Sequence, residues 1–244
     1  MPLPMPFFGR LRNHLSQAVP SQCVVCHGAA LSRLCAPCSK RFGTQRPRCQ
    51  RCALELPAGV PVCGSCLVKP PPFTHTLTAV DYAFPWDALV LRLKFSQALD
   101  LADTLADAMA NALLASALPP PELLLPMPLS TQRLRERGFN QAWELTRRLG
   151  RRLSLPADAK LLLRIKDTPH QLALPEDRRA ANVRGAFAVE PLRRQAVVGQ
   201  HVALVDDVMT TGATAAEAAR VLMQAGAASV VVWVAARTPR PRDR

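Results

Sequence analysis

Two adjacent carboxylates, Asp206 and Asp207, end the apolar run 201–207 (HVALVDD), and a stretch of small and hydroxylated residues follows: Thr210, Thr211, Gly212, Ala213 and Thr214. Backbone N–H groups at a turn leading into a helix make a site for a phosphate, aided by the helix dipole. Threonine hydroxyls add donors, and Gly212 lets the backbone close on the anion without a Cβ in the way. Two carboxylates aimed at a phosphate would repel it. They fit if they face the hydroxyls of a ribose, directly or through a divalent cation. The combination points to a sugar phosphate, with the 5-phosphate in the loop and the 2- and 3-hydroxyls on the acids. An incidental acidic pair is the weaker reading, because such a pair at the end of a buried strand is costly without a ligand.

The elements that must position this site follow from periodicity and punctuation. Residues 76–84 read as a strand, 86–95 as a helix, and 100–118 as an Ala/Leu-rich helix stopped by the prolines at 119–121. Residues 122–129 (ELLLPMPL) read as a buried strand running into a loop, and Ser130 as the N-cap of a helix reaching about 153. A short strand at 161–165 precedes a long loop, 166–184, of mixed charge. The strand 201–207, a helix 214–225 capped by Gly226, and a strand 230–235 complete the pattern. Apolar strands alternating with helices predict an α/β fold with a parallel sheet covered on both faces. Ligands of such sheets sit at the carboxyl ends of the strands, where Asp206 and Asp207 stand.

All eight cysteines lie between residues 23 and 66, as four Cys-x-x-Cys pairs: Cys23 and Cys26, Cys35 and Cys38, Cys49 and Cys52, Cys63 and Cys66. Two such pairs complete the four-sulfur shell of structural zinc, which leaves no open position for a substrate. The spacing favours two sequential ribbons, 23–38 and 49–66; a cross-braced pairing that joins the first and third pairs stays open. A thioredoxin-like redox motif is disfavoured because no βαβ context surrounds the pairs. His27, beside Cys26, is not read as a ligand. The change of texture at the prolines 70–72 divides the chain into a lead (1–20), a cysteine-rich domain (21–68), a linker (69–75), an α/β domain (76–238) and a basic tail (239–244).

The stretch 202–214 (VALVDDVMTTGAT) resembles the phosphoribosyl pyrophosphate (PRPP) motif of type I phosphoribosyltransferases, and 126–130 (PMPLS) lies where that family keeps its pyrophosphate loop. The stretches 93–95 (LKF), 135–141 (RERGFNQ), 167–171 (DTPHQ), 178–187 (RRAANVRGAF) and 236–238 (ART), with the cysteine-rich start, are similar to the ComF family, a bacterial branch associated with competence and DNA uptake. The resemblance covers about residues 21–238, and Met209 stands where the family usually has Val. It implies a type I phosphoribosyltransferase fold preceded by a double zinc ribbon. It also implies PRPP with Mg2+ on Asp206, Asp207, Thr210, Thr211, Gly212, Ala213 and Thr214. Arg133, Arg135 and Arg137 form a basic wall for pyrophosphate oxygens, since guanidinium forks suit phosphate geometry; a solvated helix face is the alternative. By the resemblance, 166–184, with Arg178, Arg179 and Arg184, is the flexible loop that folds over PRPP and excludes water. His170 is left aside as a bystander, and no catalytic residue or acceptor-specificity residue is identified.

With 244 residues, 49% of them hydrophobic, the chain can bury one sizeable core and an accessory domain. No apolar run reaches the roughly 18 residues of a membrane span, and 1–20 is too broken by prolines for a secretory signal. A cytoplasmic protein without membrane insertion is expected. The formal charge of +13 points to an anionic partner. Candidate contacts to single-stranded DNA are Arg33, Lys40, Arg46, Arg48, Lys94, Arg133, Arg135, Arg137, Arg147, Arg148 and Arg151. Three functions remain in play. They are a PRPP-binding protein that handles single-stranded DNA alongside uptake machinery such as a helicase, an active phosphoribosyltransferase, and a non-catalytic PRPP sensor.

Overall fold

The computed structural model of the protein describes residues 21–116, 118–167 and 181–239. The expected lead 1–20, the loop residues 168–180 with His170, Arg178 and Arg179, and the tail beyond 239 lie outside the described residues.

Four parallel strands form the central sheet: β3 (His75–Asp81), β4 (Leu123–Pro126), β7 (His201–Met209) and β8 (Ser229–Arg237), in the order β3-β8-β7-β4. Successive residues point to opposite faces of a strand. Along β7, Val202 and Leu204 are buried on one face and Ala203 and Val205 on the other, so both faces are covered. Val202 and Leu204 join a core with Leu123, Leu125, Val230 and Val232, closed by Ala218 and Leu222 of helix α7 (Ala213–Ala225). Helices α4 (Leu101–Leu114) and α6 (Gln141–Leu153) pack on each other and on the sheet. Helix α3 (Trp86–Phe95) buries Trp86, Leu89, Val90 and Leu93.

The expected helix from Ser130 to about residue 153 is two helices. Ser130 does cap the first, α5 (Thr131–Arg137), by accepting from the Arg133 N–H at 3.4 Å. Gly138 then takes φ +80°, a left-handed conformation that ends α5. Asn140 opens α6, its side chain accepting from the N–H groups of Ala142 and Trp143. A strand not expected from the sequence, β6 (Phe187–Val189), pairs antiparallel with β5 (Leu162–Arg164), apart from the main sheet.

By packing, the described chain divides between Thr44 and Gln45, whereas the boundary drawn from composition falls at residues 68 and 69. The smaller unit holds the β1–β2 ribbon (Ser21–Gln22 with Ala29–Ala30) and α1 (Ala36–Phe42) around the first cysteine quartet. The larger unit takes in the second quartet and α2 (Gly64–Val68) together with the sheet. Hydrogen bonds to main-chain carbonyls of the second quartet's segment account for this: Thr76 donates its N–H to Gln50 O at 3.1 Å and its hydroxyl to Arg51 O at 2.6 Å. Arg237 donates to Cys52 O at 2.8 Å.

Candidate functional site

The two acids end up in unlike surroundings. Asp207 is 2% exposed, is ion-paired with Lys94 of α3, and accepts from Gln141 Nε2 at 3.1 Å. Burial works against its charge, but Lys94 and the hydrogen bonds from Asp206 and Gln141 outweigh it and hold the carboxyl below its ordinary value. Asp206 keeps some surface in the cleft, and one of its oxygens accepts from the Asp207 N–H at 2.8 Å. Loss of solvent and the neighbouring charge of Asp207 push its pKa well above the usual carboxylate range. A carboxylate destabilised in this way gains from a cation or hydroxyl donors supplied by a ligand. Lys94 and Gln141 were not assigned to this site from the sequence; only their positions within LKF and RERGFNQ marked them.

The loop after β7 is shaped as an anion cradle. Gly212 holds φ +84° at the N-cap of α7, where a side chain would be strained. Thr211 Oγ1 accepts from the Ala213 N–H at 3.4 Å and so orders the turn. Thr210 and Thr214 line the cleft over the acids, and Gly212, Ala213 and Thr214 line a smaller hollow beside it. The first N–H groups of α7 leave the helix here without intrahelical acceptors.

The cleft, of about 250 Å³, is also lined by Arg133, Arg137 and Arg164. Arg135 does not line it and is exposed. Arg133 and Arg137 are one helical turn apart, whereas a residue two along points roughly 200° around the helix. Thus two of the three expected wall arginines converge, and Arg164 of β5 replaces the third. Burial depresses the pKa values of Arg137 and Arg164, and Arg133 adds to both effects. Guanidinium groups crowded in this way favour an anion among them. Met127, Pro128 and Leu129 form the floor, with Met127 N–H donating to Val205 O at 2.7 Å. Leu91 and Phe95 of α3 make an apolar flank, with Arg137 over the Phe95 ring at 5.3 Å. Arg184 does not line the cleft; its carbonyl accepts from Lys166 Nζ at 3.3 Å, and the adjacent Gly185 N–H donates to Glu217 at 2.6 Å.

The cysteines form two sequential quartets, Cys23, Cys26, Cys35 and Cys38, then Cys49, Cys52, Cys63 and Cys66, each with its sulfurs within 4.8 Å of one another. This excludes the cross-braced pairing. None of the eight forms a disulfide. Cys26 and Cys35 sulfurs lie 3.7 Å apart, as do those of Cys52 and Cys63. Tetrahedral zinc with bonds of about 2.3 Å holds sulfurs about 3.8 Å apart, so both quartets could hold structural zinc. Main-chain N–H groups already point at the sulfurs, Cys35 to Cys23 at 3.4 Å and Cys63 to Cys49 at 3.3 Å. Burial opposes the Cys23 thiolate, but N–H donors from Cys26, Cys35 and Val25 bring its pKa down to about 6. Burial and the neighbouring thiols push Cys38 up to about 12. Such a divided set of thiols is what a bound cation would even out.

Several residues offered as DNA contacts are already engaged. Arg148 is buried and ion-paired with Glu144 and Asp103; Arg147 pairs with Glu144; Arg46 and Arg48 pair with Asp81; and Lys94 holds Asp207. Among the described residues no helix is long and apolar enough to cross a membrane.

No family model matches the chain. Among solved structures, the glutamine PRPP amidotransferase from B. subtilis complexed with ADP and GMP is 19% identical, with a TM-score of 0.37, over 55% of this chain and 25% of that one. Sequence relatives reach much further. The DNA utilization protein YhgH of Escherichia coli O157:H7 is 36% identical over 227 residues, 90% of this chain and 98% of the relative. Competence protein F of Haemophilus influenzae is 33% identical over 223 residues, 88% of this chain and 96% of the relative. The parallel sheet with the acid pair at the end of β7 has the type I phosphoribosyltransferase fold, and the two cysteine quartets ahead of it fit a double zinc ribbon. With relatives matched over nearly their whole length, this chain belongs to the ComF family.

Proposed function

We propose that the protein binds PRPP with Mg2+ over Asp206 and acts in DNA uptake or DNA utilisation, with single-stranded DNA as its macromolecular partner. The observation that carries the first part is convergence: an acid pair, a hydroxyl-rich helix start and three arginines meet at one cleft. The 5-phosphate would take the loop 210–214 and the ribose hydroxyls Asp206. The pyrophosphate would lie towards Arg133, Arg137 and Arg164. Asp207, tied to Lys94 and Gln141, holds Asp206 in place through its own N–H. Mg2+ beside Asp206 would offset pyrophosphate charge. The DNA role is supported by the names of the relatives and by the +13 charge.

A second reading, phosphoribosyl transfer to an acceptor, is favoured by the apolar flank of Leu91 and Phe95, which leaves room beside the anion site. Calorimetric titration with PRPP and Mg2+ tests the shared premise. Wild type should bind, and Asp206→Ala with Asp207→Ala should not, while its circular dichroism stays that of the folded protein. Equal binding by the double variant would overturn the role of the pair. Release of pyrophosphate on adding candidate acceptors would favour the transferase reading.

A further inference from the structure

Arg237, the last residue of β8, is 6% exposed. Its guanidinium donates in two directions. Nε goes to Cys52 O at 2.8 Å, while Nη1 goes to Met209 O at 3.1 Å and Thr238 O at 2.7 Å. Met209 ends β7, pairs in register with Arg237, and accepts a second time, from the Thr238 N–H at 3.0 Å. The next residue is Thr210, the start of the phosphate loop. One buried side chain therefore joins the second cysteine quartet to the strand end that sets the loop.

We propose that Arg237 is a positioning residue that makes the phosphate loop depend on the second quartet, so that metal on Cys49, Cys52, Cys63 and Cys66 and an anion on residues 210–214 strengthen each other's binding. The anion half rests on the PRPP reading above. A buried cation requires acceptors on all sides, and the planar fork of arginine reaches carbonyls in two directions where an ammonium would not. Four thiolates around a divalent cation leave two net negative charges, which a nearby buried guanidinium offsets; outer hydrogen-bond partners tune metal sites in this manner. Opening the quartet moves Cys52 O and strips Arg237 of an acceptor. The guanidinium must then shift, and Met209 shifts with it. Linkage makes the effect reciprocal.

The test is hydrogen exchange on the full-length protein, comparing peptides covering 207–215 with those covering 123–126. Four samples suffice: metal-loaded wild type, wild type stripped by a zinc chelator, and metal-loaded Arg237→Met and Arg237→Lys. Stripped wild type and Arg237→Met should show exchange accelerated over 207–215 by about 10-fold more than over 123–126. Arg237→Lys should fail to restore the wild-type rate. Wild-type exchange over 207–215 in the stripped protein overturns the proposal. So does acceleration spread equally over 123–126, which would mean general loosening. If Arg237→Met does not fold, the stripped wild type and Arg237→Lys decide. In a second arm, PRPP with Mg2+ should slow transfer of one of the two metal ions to a chromogenic chelator about 10-fold in wild type and not in Arg237→Lys. Loop acceleration without PRPP binding would sink the PRPP reading and leave the coupling standing; PRPP binding without either effect would sink the coupling alone.

Discussion

Asp206 and Asp207 share a residue type and a strand end, yet their charges act on stability with opposite sign. Asp207 has a depressed pKa in the fold, so its contribution is present above its unfolded value and is lost as pH falls through the folded one. Asp206 has a raised pKa, so its contribution is present below its unfolded value and is lost as pH rises through the folded one. Ionising Asp206 is therefore a burden that a ligand cation or hydroxyl donors would offset. Asp206→Asn should raise the thermal midpoint at pH 7 by a few degrees, about 1 kcal/mol corresponding to 2–4 °C at this size, and should abolish PRPP binding. Asp207→Asn leaves Lys94 facing an uncharged partner and should cost about 3–5 kcal/mol at pH 7, a penalty that shrinks as pH falls through the depressed pKa of Asp207. Thermal scans of both variants across pH check this; shifts of the same sign at pH 7 would refute the division of roles.

Between α5 and α6, Gly138 ends one helix and Asn140 starts the next. Asn140 caps α6 and also donates Nδ2 to Met127 O at 3.1 Å, tying the cap to the cleft floor. Asn140→Ala should lower stability by about 1–2 kcal/mol and weaken PRPP binding severalfold, read by denaturant unfolding and calorimetry. Unchanged PRPP affinity in a destabilised variant would separate the cap from the site. The quartets make a second test at this scale. Metal analysis should find about two zinc ions per chain. Cys35→Ser should remove one and leave the unfolding transition of the sheet unit in place. Cys63→Ser should remove the other and lower that transition, because its quartet is hydrogen-bonded to β3 and β8.

Across the molecule, 31 Lys and Arg stand against 18 Asp and Glu, but much of the positive charge is spent internally. Arg152 binds Asp103 and Asp107, Arg193 binds Asp158, and Arg220 binds Glu217. Exposed Arg135 and Arg151 are better placed to meet a phosphate backbone than buried Arg148. Single-stranded DNA binding should weaken with salt by about 0.7 in log–log slope per phosphate neutralised. Arg135→Glu with Arg151→Glu should flatten that slope and spare PRPP binding. Arg148→Glu should instead unfold the protein, since it sets a third acid beside Glu144 and Asp103. Salt-independent binding, or none at low salt, would mean that the +13 charge serves no nucleic acid.

The sequence by itself determined the motifs that are contiguous in the chain: the acid pair, the hydroxyl loop with its glycine, and the Cys-x-x-Cys pairs. It also determined most of the elements, since strand and helix periods and the caps at Ser130 and Gly226 are local signals. The helix 86–95 was legible to the residue. The break at Gly138 was written in the sequence but masked by the helical period on either side of it. Tertiary structure alone decided what depends on residues far apart in the chain. It chose sequential over cross-braced quartets, paired Asp207 with Lys94, put Arg164 in the cleft in place of Arg135, and carried the second quartet to the sheet through Arg237. The physical reason is that a side chain's direction and its partner are set by which elements pack together. A one-dimensional pattern records the period of an element but not the neighbour it will meet.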